Sequence, residues 1–290
     1  MTLLLHTEAQ LTADREQFAA AQPAGRIAFV PTMGALHEGH LSLVRLAREH
    51  ADRVVVSVFV NPTQFGAGED FDRYPRTLDA DVAALDGLAD VVFAPAVAEV
   101  YPHGFDGSGK PVGIPFITAG PAAAHFEGAV RPGHFDGMLT VVNRLFDMVR
   151  PDVAVFGQKD AQQIFHVRDM IARDRLPIEL VIGRTAREDD GLARSSRNRY
   201  LSAAERDAAV VMPTAIYAVQ AAAHGGAEAA RAAGHAVFEA QPLAKLDYLE
   251  LVNPQTFVPV MNGYTGPATV IVAARLGTTR LLDTEDITLG

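Results

Sequence analysis

The sequence predicts an α/β protein in which a doubly wound parallel sheet is followed by a smaller α+β domain. Short apolar runs alternate with amphipathic stretches up to Gly183, which is the pattern of strand–helix–strand units. Beyond that point the chain is dense in charged and small residues and then rich in alanine. With 290 residues, 49% of them hydrophobic, the chain is long enough to bury two cores. We therefore predict one domain over residues 1–183 and a second over residues 184–290.

Each predicted strand is an apolar run that ends at a turn residue, and each predicted helix has apolar residues three and four apart. Strands are predicted at 26–32, 54–60, 90–94, 153–156 and 178–182. Helices are predicted at 41–50, 78–89 and 161–173, and another ends at 143–149. Residues 102–121 contain five glycines and four prolines, which predicts a long loop or an irregular hairpin flap. In the second domain, two helices are predicted within 203–240 and strands at 246–252 and 268–276.

The composition excludes several classes of protein. The 25 Lys and Arg against 35 Asp and Glu give a net charge of −10, which argues against sequence-independent nucleic-acid binding and against adhesion to an anionic membrane. The absence of cysteine excludes a disulfide framework, a thiolate zinc site and a cysteine nucleophile. No apolar stretch approaches the roughly 18 residues that span a bilayer, and the first residues do not resemble a signal peptide. We therefore expect a cytoplasmic protein.

Two histidines follow the first predicted strand. The segment Pro-Thr-Met-Gly-Ala-Leu-His-Glu-Gly-His places His37 and His40 three residues apart at the start of a helix, after a turn that contains Gly34. Backbone N–H groups and the positive end of the helix dipole at such a turn favour a phosphate. The spacing differs from the His-Glu-x-x-His motif of metalloproteases. The alternative interpretation is a pair of surface histidines at a turn.

Polar side chains also follow two later strands. Asn61 and Gln64 carry amides that suit a hydroxyl or a carboxylate, although Asn-Pro is also a common turn. Gly157 opens a turn in which Lys159 can meet a phosphate or remain solvated, and Gln163 lies one helical turn further on. Because ligands of doubly wound sheets collect at the carboxyl ends of the strands, we expect these side chains to face a ligand.

Two further clusters offer charged groups. Glu127, Arg131 and His134 precede a helix, and the run Arg-Ser-Ser-Arg at 194–197 can act as a phosphate clamp or as a solvated charged segment. The sequence contains neither a P-loop nor a Gly-x-Gly-x-x-Gly fingerprint. The residues alone therefore predict an α/β enzyme that binds a phosphorylated ligand through His, Lys and Arg and a polar co-substrate through amides.

Six segments in order along the chain resemble the pantothenate synthetase (pantoate–β-alanine ligase) family of the nucleotidylyltransferase superfamily. They are PTMGALHEGH, FVNPTQF with the later RYPRT, EGAVRPGHF, FGQKDAQQ, DGLARSSRNRYL and VAARLGTTRLLD. The resemblance implies a Rossmann-like catalytic domain that binds nucleotide and pantoate, a smaller C-terminal lid domain and a homodimer. It also implies a reaction in which ATP and pantoate form a pantoyl adenylate and pyrophosphate. β-Alanine then attacks the adenylate to give pantothenate and AMP, with Mg²⁺ on the phosphates.

The resemblance also implies a role for each matching residue. The residues implied in catalysis are His37, His40, Lys159 and Arg197. Those implied in ATP binding are Met33, Gly34, Ala35, Leu36, His37, Glu38, Gly39, His40, Gly157, Gln158, Lys159, Asp160, Ala186, Arg194, Ser195, Ser196 and Arg197. Those implied in substrate binding are Asn61, Gln64, Glu127, Arg131, His134 and Gln163. No metal ligand is assigned, and Asp81 is considered only as a neighbour of magnesium.

Three positions depart from the family pattern, and two alternative functions stay open. Arg194 stands in place of a usual Met or Leu, Ala186 in place of a larger apolar residue beside adenine, and Arg184 in place of a proline. One alternative is a plain nucleotidylyltransferase that acts on a phosphorylated acceptor. The other is a catalytically inactive nucleotide-binding protein. The neutral amides of Gln64 and Gln163 favour the ligase over the first, since amides suit a hydroxy acid better than a phosphate.

Overall fold

A six-stranded parallel sheet organises the N-terminal part of the computed structural model, which describes residues 2–66 and 71–290. The strand order is β1-β4-β3-β2-β5-β6. The strands are β1 Leu3–Leu5, β2 Ile27–Thr32, β3 Arg53–Val58, β4 Val91–Phe93, β5 Val153–Gly157 and β6 Glu179–Gly183. Strands β2 and β3 pair in parallel from Ile27 opposite Arg53 to Thr32 opposite Val58. Because the chain order reverses on either side of β2, the predicted doubly wound sheet is confirmed.

Helices connect these strands. They are α1 Glu8–Ala21, α2 Glu38–His50, α3 Leu78–Leu85, α4 Val97–Val100, α5 Glu127–Val130, α6 His134–Val149 and α7 Ala161–Arg173. Helix α2 begins three residues before its predicted start because His37 caps it. Helix α3 ends at Leu85 rather than at 89, and Gly87 follows it with a φ of +76°. Strand β1 and helix α1 were not predicted.

The core of this part lies on both faces of the sheet. Its fully buried side chains on the strands include Phe29, Val30, Val54, Val56 and Phe93. Helix α6 is buried along most of its length, and its Phe146 meets Phe29 edge to face at 6.2 Å between ring centroids. Continuous apolar strands with few polar positions are what a sheet covered on both faces requires. Among residues 102–121, the structure has one isolated antiparallel bridge between Phe105 and Pro111, in agreement with an irregular hairpin.

The C-terminal part is an antiparallel sheet covered by helices, as an α+β fold requires. Its strands are β7 Ala244–Val252, β8 Gly266–Leu276 and β9 Thr279–Leu289, in the order β7-β8-β9. Its helices are α8 Ala203–Ala208, α9 Val211–Ala222 and α10 Gly226–Glu239. Met212, Ile216, Val270 and Val272 lie in the core between helices and sheet. Strand β9 was not predicted from the sequence.

The chain forms two compact units, Met1–Phe156 with His166–Gly183 and Gly157–Phe165 with Arg184–Gly290. One division therefore falls between residues 183 and 184, and residues 157–165 also belong to the second unit. The division into a catalytic domain over 1–183 and a lid domain over 184–290 stays a prediction. In the described parts of the chain, no helix combines the length and the apolar character needed to cross a bilayer.

One buried histidine makes the stability of the first unit depend on pH. His166 on α7 is 1% exposed, and its ring lies 4.5 Å from that of Phe135 between centroids. Burial lowers the pKa of His166 to about 4; the nearby charges of Asp169 and Asp136 oppose that shift. Because an unfolded histidine has a pKa near 6.5, the unfolded chain takes up a proton between pH 6.5 and 4 that the folded chain does not. Stability is therefore lost as the pH falls through this range.

We expect the substitution His166→Gln to remove about 2 kcal/mol of the decrease in unfolding free energy between pH 7 and pH 5. Urea unfolding of the wild type and the variant at both pH values measures this difference. The same substitution at solvent-exposed His224 is the matched control. An unchanged pH dependence in His166→Gln would contradict the assignment of a neutral buried imidazole.

Candidate active site

The turn between β2 and α2 is held in shape by a buried carboxylate. Gly34 and Ala35 have φ values of +81° and +50°, so the chain turns through the left-handed region. Asp81, 3% exposed, accepts hydrogen bonds from the backbone N–H groups of Ala35 at 3.1 Å and Leu36 at 2.8 Å. The hydroxyl of Thr77 donates to the same carboxylate at 3.1 Å. Asp81 therefore fixes the path of the chain that leads to the two histidines.

The two histidines lie together at the start of α2, as their spacing predicts. Their ring centroids are 4.1 Å apart. The Nδ1 atom of His37 accepts a hydrogen bond from the N–H of Gly39 at 3.2 Å, and the Nδ1 atom of His40 accepts one from the N–H of His37 at 3.3 Å. Since Nδ1 is the acceptor in both neutral rings, both carry their hydrogen on Nε2. The turn thus presents two imidazole N–H donors beside the N-terminus of a 13-residue helix.

Gln64 connects the segment after β3 to the turn after β2. Gln64 is 9% exposed. Its side-chain oxygen accepts a hydrogen bond from the amide nitrogen of Asn61 at 3.1 Å, and its side-chain nitrogen donates to the sulfur of Met33 at 3.3 Å. Asn61 also donates to the backbone carbonyl of Gly137 at 3.2 Å. The structure therefore brings the predicted residues Met33, Asn61 and Gln64 into one hydrogen-bonded group.

The backbone of Gln64 is held by Arg131 and His134, at and just before the start of α6. Its carbonyl accepts hydrogen bonds from Nδ1 of His134 at 2.9 Å and from the guanidinium of Arg131 at 3.2 Å. The guanidinium also lies 3.2 Å from Nε2 of His134, so the ring accepts at Nε2 and donates at Nδ1. Glu127 lies at the start of the short helix α5, just ahead of Arg131. Two members of the predicted cluster, Arg131 and His134, thus contact the backbone of Gln64.

Tyr101 and Gly137 complete the support of this turn, and the sequence analysis missed both. Tyr101, 1% exposed, donates its hydroxyl to the amide oxygen of Asn61 at 2.8 Å. Burial raises the pKa of Tyr101 to about 12, so this hydroxyl remains a donor at neutral pH. A Cβ atom at Gly137 would lie 2.0 Å from the carbonyl oxygen of Thr63. Only glycine allows α6 to approach the Gln64 turn this closely.

In the second unit, the segment after β5 forms a turn that runs directly into α7. Gln158, Lys159 and Asp160 form a 3-10 turn, and the ammonium of Lys159 lies 3.6 Å from the Asp160 carboxylate. The hydroxyl of Thr284 on β9 donates to the carbonyl of Gln158 at 2.7 Å. Gln163 lies half-buried in the first turn of α7.

Residues 186–197 of the second unit form a small hairpin that leads into another 3-10 turn. Arg187 and Ala193 pair as an antiparallel bridge, and the N–H of Arg194 donates to the carbonyl of Ala186 at 2.8 Å. Ser195 caps the turn Ser196–Tyr200 by accepting the N–H of Arg197 at 3.3 Å. The predicted clamp residues therefore lie on one ordered segment.

A buried ion pair ties this hairpin to β9. The guanidinium of Arg187 donates to the carboxylate of Asp283 at 2.7 and 3.1 Å and to Glu285 at 3.0 Å. It also donates to the carbonyl of Gly191, at the tip of its own hairpin, at 3.0 Å. The side chain of Asp283 is 1% exposed. Arg187 and Asp283 were not predicted as site residues, although the segments that resemble the family end at Asp283.

The family model described as pantoate-beta-alanine ligase matches residues 4–285. The pantothenate synthetase of Leifsonia xyli is 57% identical over 271 residues, which cover 93% of this chain and 92% of that protein. The pantothenate synthetase of Thermobifida fusca is 50% identical over 296 residues and 99% of each chain.

Solved structures give the same result. The pantothenate synthetase of Thermus thermophilus superposes with a TM-score of 0.87 at 45% identity, covering 98% of this chain and 99% of that one. The pantoate-beta-alanine ligase of Francisella tularensis, complexed with beta-gamma ATP and beta-alanine, superposes with a TM-score of 0.76 at 30% identity, covering 98% and 97%. On the match over nearly its whole length, the chain belongs to the pantoate–β-alanine ligase family.

Proposed function

We propose that this chain condenses (R)-pantoate with β-alanine to give pantothenate, with ATP cleaved to AMP and pyrophosphate, as a step of pantothenate and coenzyme A biosynthesis. As a member of its family it is a ligase. The observation that carries the proposal is the hydrogen-bonded group that joins the paired-histidine turn, through Met33, to the amide of Gln64. This group links the turn that carries the donors for a phosphate to the side chain that supplies an amide for a polar acid.

The proposed chemistry has two steps. A carboxylate oxygen of pantoate attacks the α-phosphorus of ATP, the bond from that phosphorus to the bridging oxygen breaks, and pyrophosphate leaves with the electron pair. The amine nitrogen of β-alanine then attacks the acyl carbon of the pantoyl adenylate and loses a proton, and AMP leaves. Both steps need positioning and stabilisation of charge rather than covalent participation of the protein.

We assign the two histidines to the phosphates of ATP. The Nε2–H groups of His37 and His40 are donors in the neutral rings, and α2 adds its positive dipole end. Charge that develops on the phosphate oxygens as pyrophosphate leaves is stabilised by such donors. Of the two rings, His40 is the proposed transition-state donor.

We assign Gln64 and Gln163 to pantoate, and Gln64 also to β-alanine. Asn61 is 1% exposed, and its amide donates to Gln64 and Gly137 and accepts from Tyr101. Asn61 is therefore proposed to act by orienting Gln64. Glu127, Arg131 and His134 are proposed as the supporting shell behind the same turn.

The second unit is proposed to supply the remaining contacts to ATP. Lys159 is assigned to the phosphates and Asp160 to the ribose, on a turn held by Thr284. Ser195 and Arg197 are assigned to a clamp on the triphosphate. Ala186, Arg194 and Ser196 are assigned to the same nucleotide site.

Mg²⁺ is proposed as a companion of the ATP phosphates, where it supplies neutralisation of charge. Across residues 2–66 and 71–290, no group of three or more His, Cys, Asp or Glu side chains is arranged to hold a metal ion. The Asp81 carboxylate already accepts three hydrogen bonds from the protein. The described residues therefore do not fit a protein cage for Mg²⁺, which commonly binds through substrate phosphates. A homodimer is proposed on the family resemblance, and a cytoplasmic location on the cysteine-free composition.

An isotope exchange assay tests the function. We expect the purified protein to exchange labelled pyrophosphate into ATP only when pantoate is present, without β-alanine, because the adenylate forms before the amine attacks. With all three substrates, AMP and pantothenate should accumulate in equal amounts. ADP and inorganic phosphate as products would contradict the proposal. Pyrophosphate release with a phosphorylated acceptor would indicate the nucleotidylyltransferase alternative, and ATP binding without turnover would indicate an inactive protein.

A further inference from the structure

Strand β9 holds both of the ATP-binding segments that we propose for the second unit. The hydroxyl of Thr284 donates to the carbonyl of Gln158 at 2.7 Å, next to Lys159. The neighbouring residue Asp283 binds both terminal nitrogens of the Arg187 guanidinium at 2.7 and 3.1 Å. Two adjacent residues of one strand thus contact the Lys159 turn and the hairpin that carries the clamp.

The contact to the hairpin also fixes its interior. The guanidinium held by Asp283 donates to the carbonyl of Gly191 at 3.0 Å, so it spans the hairpin tip. The backbone carbonyl of Arg187 accepts the Nε–H of Arg194 at 3.2 Å. Arg194 directly precedes Ser195, whose hydroxyl caps the turn that contains Arg197. Hydrogen bonds therefore link Asp283 to Arg187 and Arg187 to Arg194, the direct sequence neighbour of the clamp residue Ser195.

Burial of the negative charge of Asp283 costs free energy. Positive side chains of both segments, the Lys159 turn and the hairpin, offset that cost. The Asp283 side chain is 1% exposed. Burial raises the pKa of Asp283, and the positive charges of Arg187 and Lys159 oppose that shift. A bidentate guanidinium and the N–H of Thr284, at 2.8 Å, satisfy its oxygens. Since buried ion pairs contribute little net stability, an ordering role is the better explanation for this one.

We infer that Asp283 and Thr284 are positioning residues for ATP: together they fix the Lys159 turn and the 186–197 hairpin relative to each other within the second unit. The inference rests on the proposed function for the assignment of these segments to ATP. It gives β9 a supporting role behind the nucleotide site, and β9 itself is not proposed to touch the nucleotide.

Thr284 allows a test with an isosteric pair. Thr284→Val keeps the shape and loses the hydroxyl donor, whereas Thr284→Ser keeps the donor. We expect Thr284→Val to weaken binding of α,β-methylene-ATP by about 5- to 15-fold, the equivalent of one hydrogen bond, and Thr284→Ser to stay within about twofold of the wild type. Calorimetric titration with this analogue measures affinity without turnover.

Asp283→Asn tests the second contact, with Asp286→Asn as its control. Asp286 lies on the same strand, is exposed and pairs with Thr269 at 2.7 Å. We expect Asp283→Asn to weaken analogue binding by about tenfold or more and to speed tryptic cleavage after Arg187 and Arg194 in the folded protein. Asp286→Asn should match the wild type in both measurements. If Asp283→Asn does not fold, the Thr284 pair still decides the matter.

The kinetic constants separate positioning from a general loss of structure. In the AMP-forming assay, the positioning role predicts a raised KM for ATP while the KM values for pantoate and β-alanine stay within about twofold. Analogue affinities of Thr284→Val and Asp283→Asn equal to that of Asp286→Asn would overturn the inference. An equal rise of all three KM values would overturn it too. A wild type that binds the analogue but makes no pantothenate would refute the proposed function alone, and the affinity ratios would still test the positioning role.

Discussion

Replacing His40 by alanine is expected to lower kcat/KM for adenylate formation by roughly 30- to 1000-fold, the equivalent of about 2–4 kcal/mol of transition-state stabilisation. The physical reason is the loss of one Nε2–H donor from a preorganised pair whose ring centroids are 4.1 Å apart. Pantoate-dependent exchange of labelled pyrophosphate into ATP measures the effect without the second half-reaction.

His40 also has a structural role, so the alanine variant needs a partner that separates the two. Its Nδ1 atom accepts the N–H of His37 in the cap of α2. An asparagine places its side-chain oxygen near that position and can keep the cap, but it offers no donor at the position of Nε2. We therefore expect His40→Asn to unfold at the wild-type temperature and still to lose activity as His40→Ala does.

Two outcomes would contradict this assignment. Wild-type turnover in His40→Ala would show that the paired histidines do not face the reacting phosphate. Recovery of activity in His40→Asn would show that the cap, and not the donor, is what the reaction needs.

The sequence predicted those elements whose burial makes a strong local pattern. The run at 54–60 predicts a strand because β3 is covered on both faces, with Val54, Val55 and Val56 each at most 2% exposed. Strand β1 has three residues, and its Leu3 is 44% exposed, so no pattern marks it. Helix α1 buries only two side chains, but its capping box of Thr7 and Gln10 is a signal that sequence reasoning could have used.

In the candidate site, too, some residues could be predicted from the sequence and others could not. Residues proposed to meet a ligand, such as His40, Gln64 and Lys159, are chemically conspicuous and follow strands, so the sequence suggests them. Their supports have partners far along the chain: Asp81 binds the turn 45 residues before it, and Tyr101 binds Asn61 at a separation of 40. Such pairs exist only after folding, and an ordinary tyrosine or aspartate carries no local sign of its partner.

Gly137 gives the strictest test of how α6 supports the Gln64 turn. Replacement by alanine there has opposite local and tertiary effects on stability. Alanine in place of glycine inside a helix normally stabilises by about 1 kcal/mol. At Gly137, however, the added Cβ would lie 2.0 Å from the carbonyl oxygen of Thr63 and 2.9 Å from the backbone nitrogen of Gln64. Both are backbone atoms, so the turn itself must move.

We therefore expect Gly137→Ala to lower the melting temperature and to reduce kcat/KM for pantoate on the order of 100-fold, the effect of misplacing a binding group by about 1 Å. The matched control is Gly234→Ala on α10, where the added Cβ would meet only side chains, those of Leu249 and Val219, at 2.6 and 2.7 Å. That variant should lose stability while the KM for pantoate stays near the wild-type value. Two outcomes would contradict this expectation: a gain in the stability of Gly137→Ala, which helix propensity alone requires, or unchanged kinetics with pantoate. Either would show that the contact between α6 and the Gln64 turn does not position the Gln64 amide. A loss of kcat/KM for pantoate in Gly137→Ala but not in Gly234→Ala would establish that a glycine without a reactive side chain sets the geometry of the pantoate site.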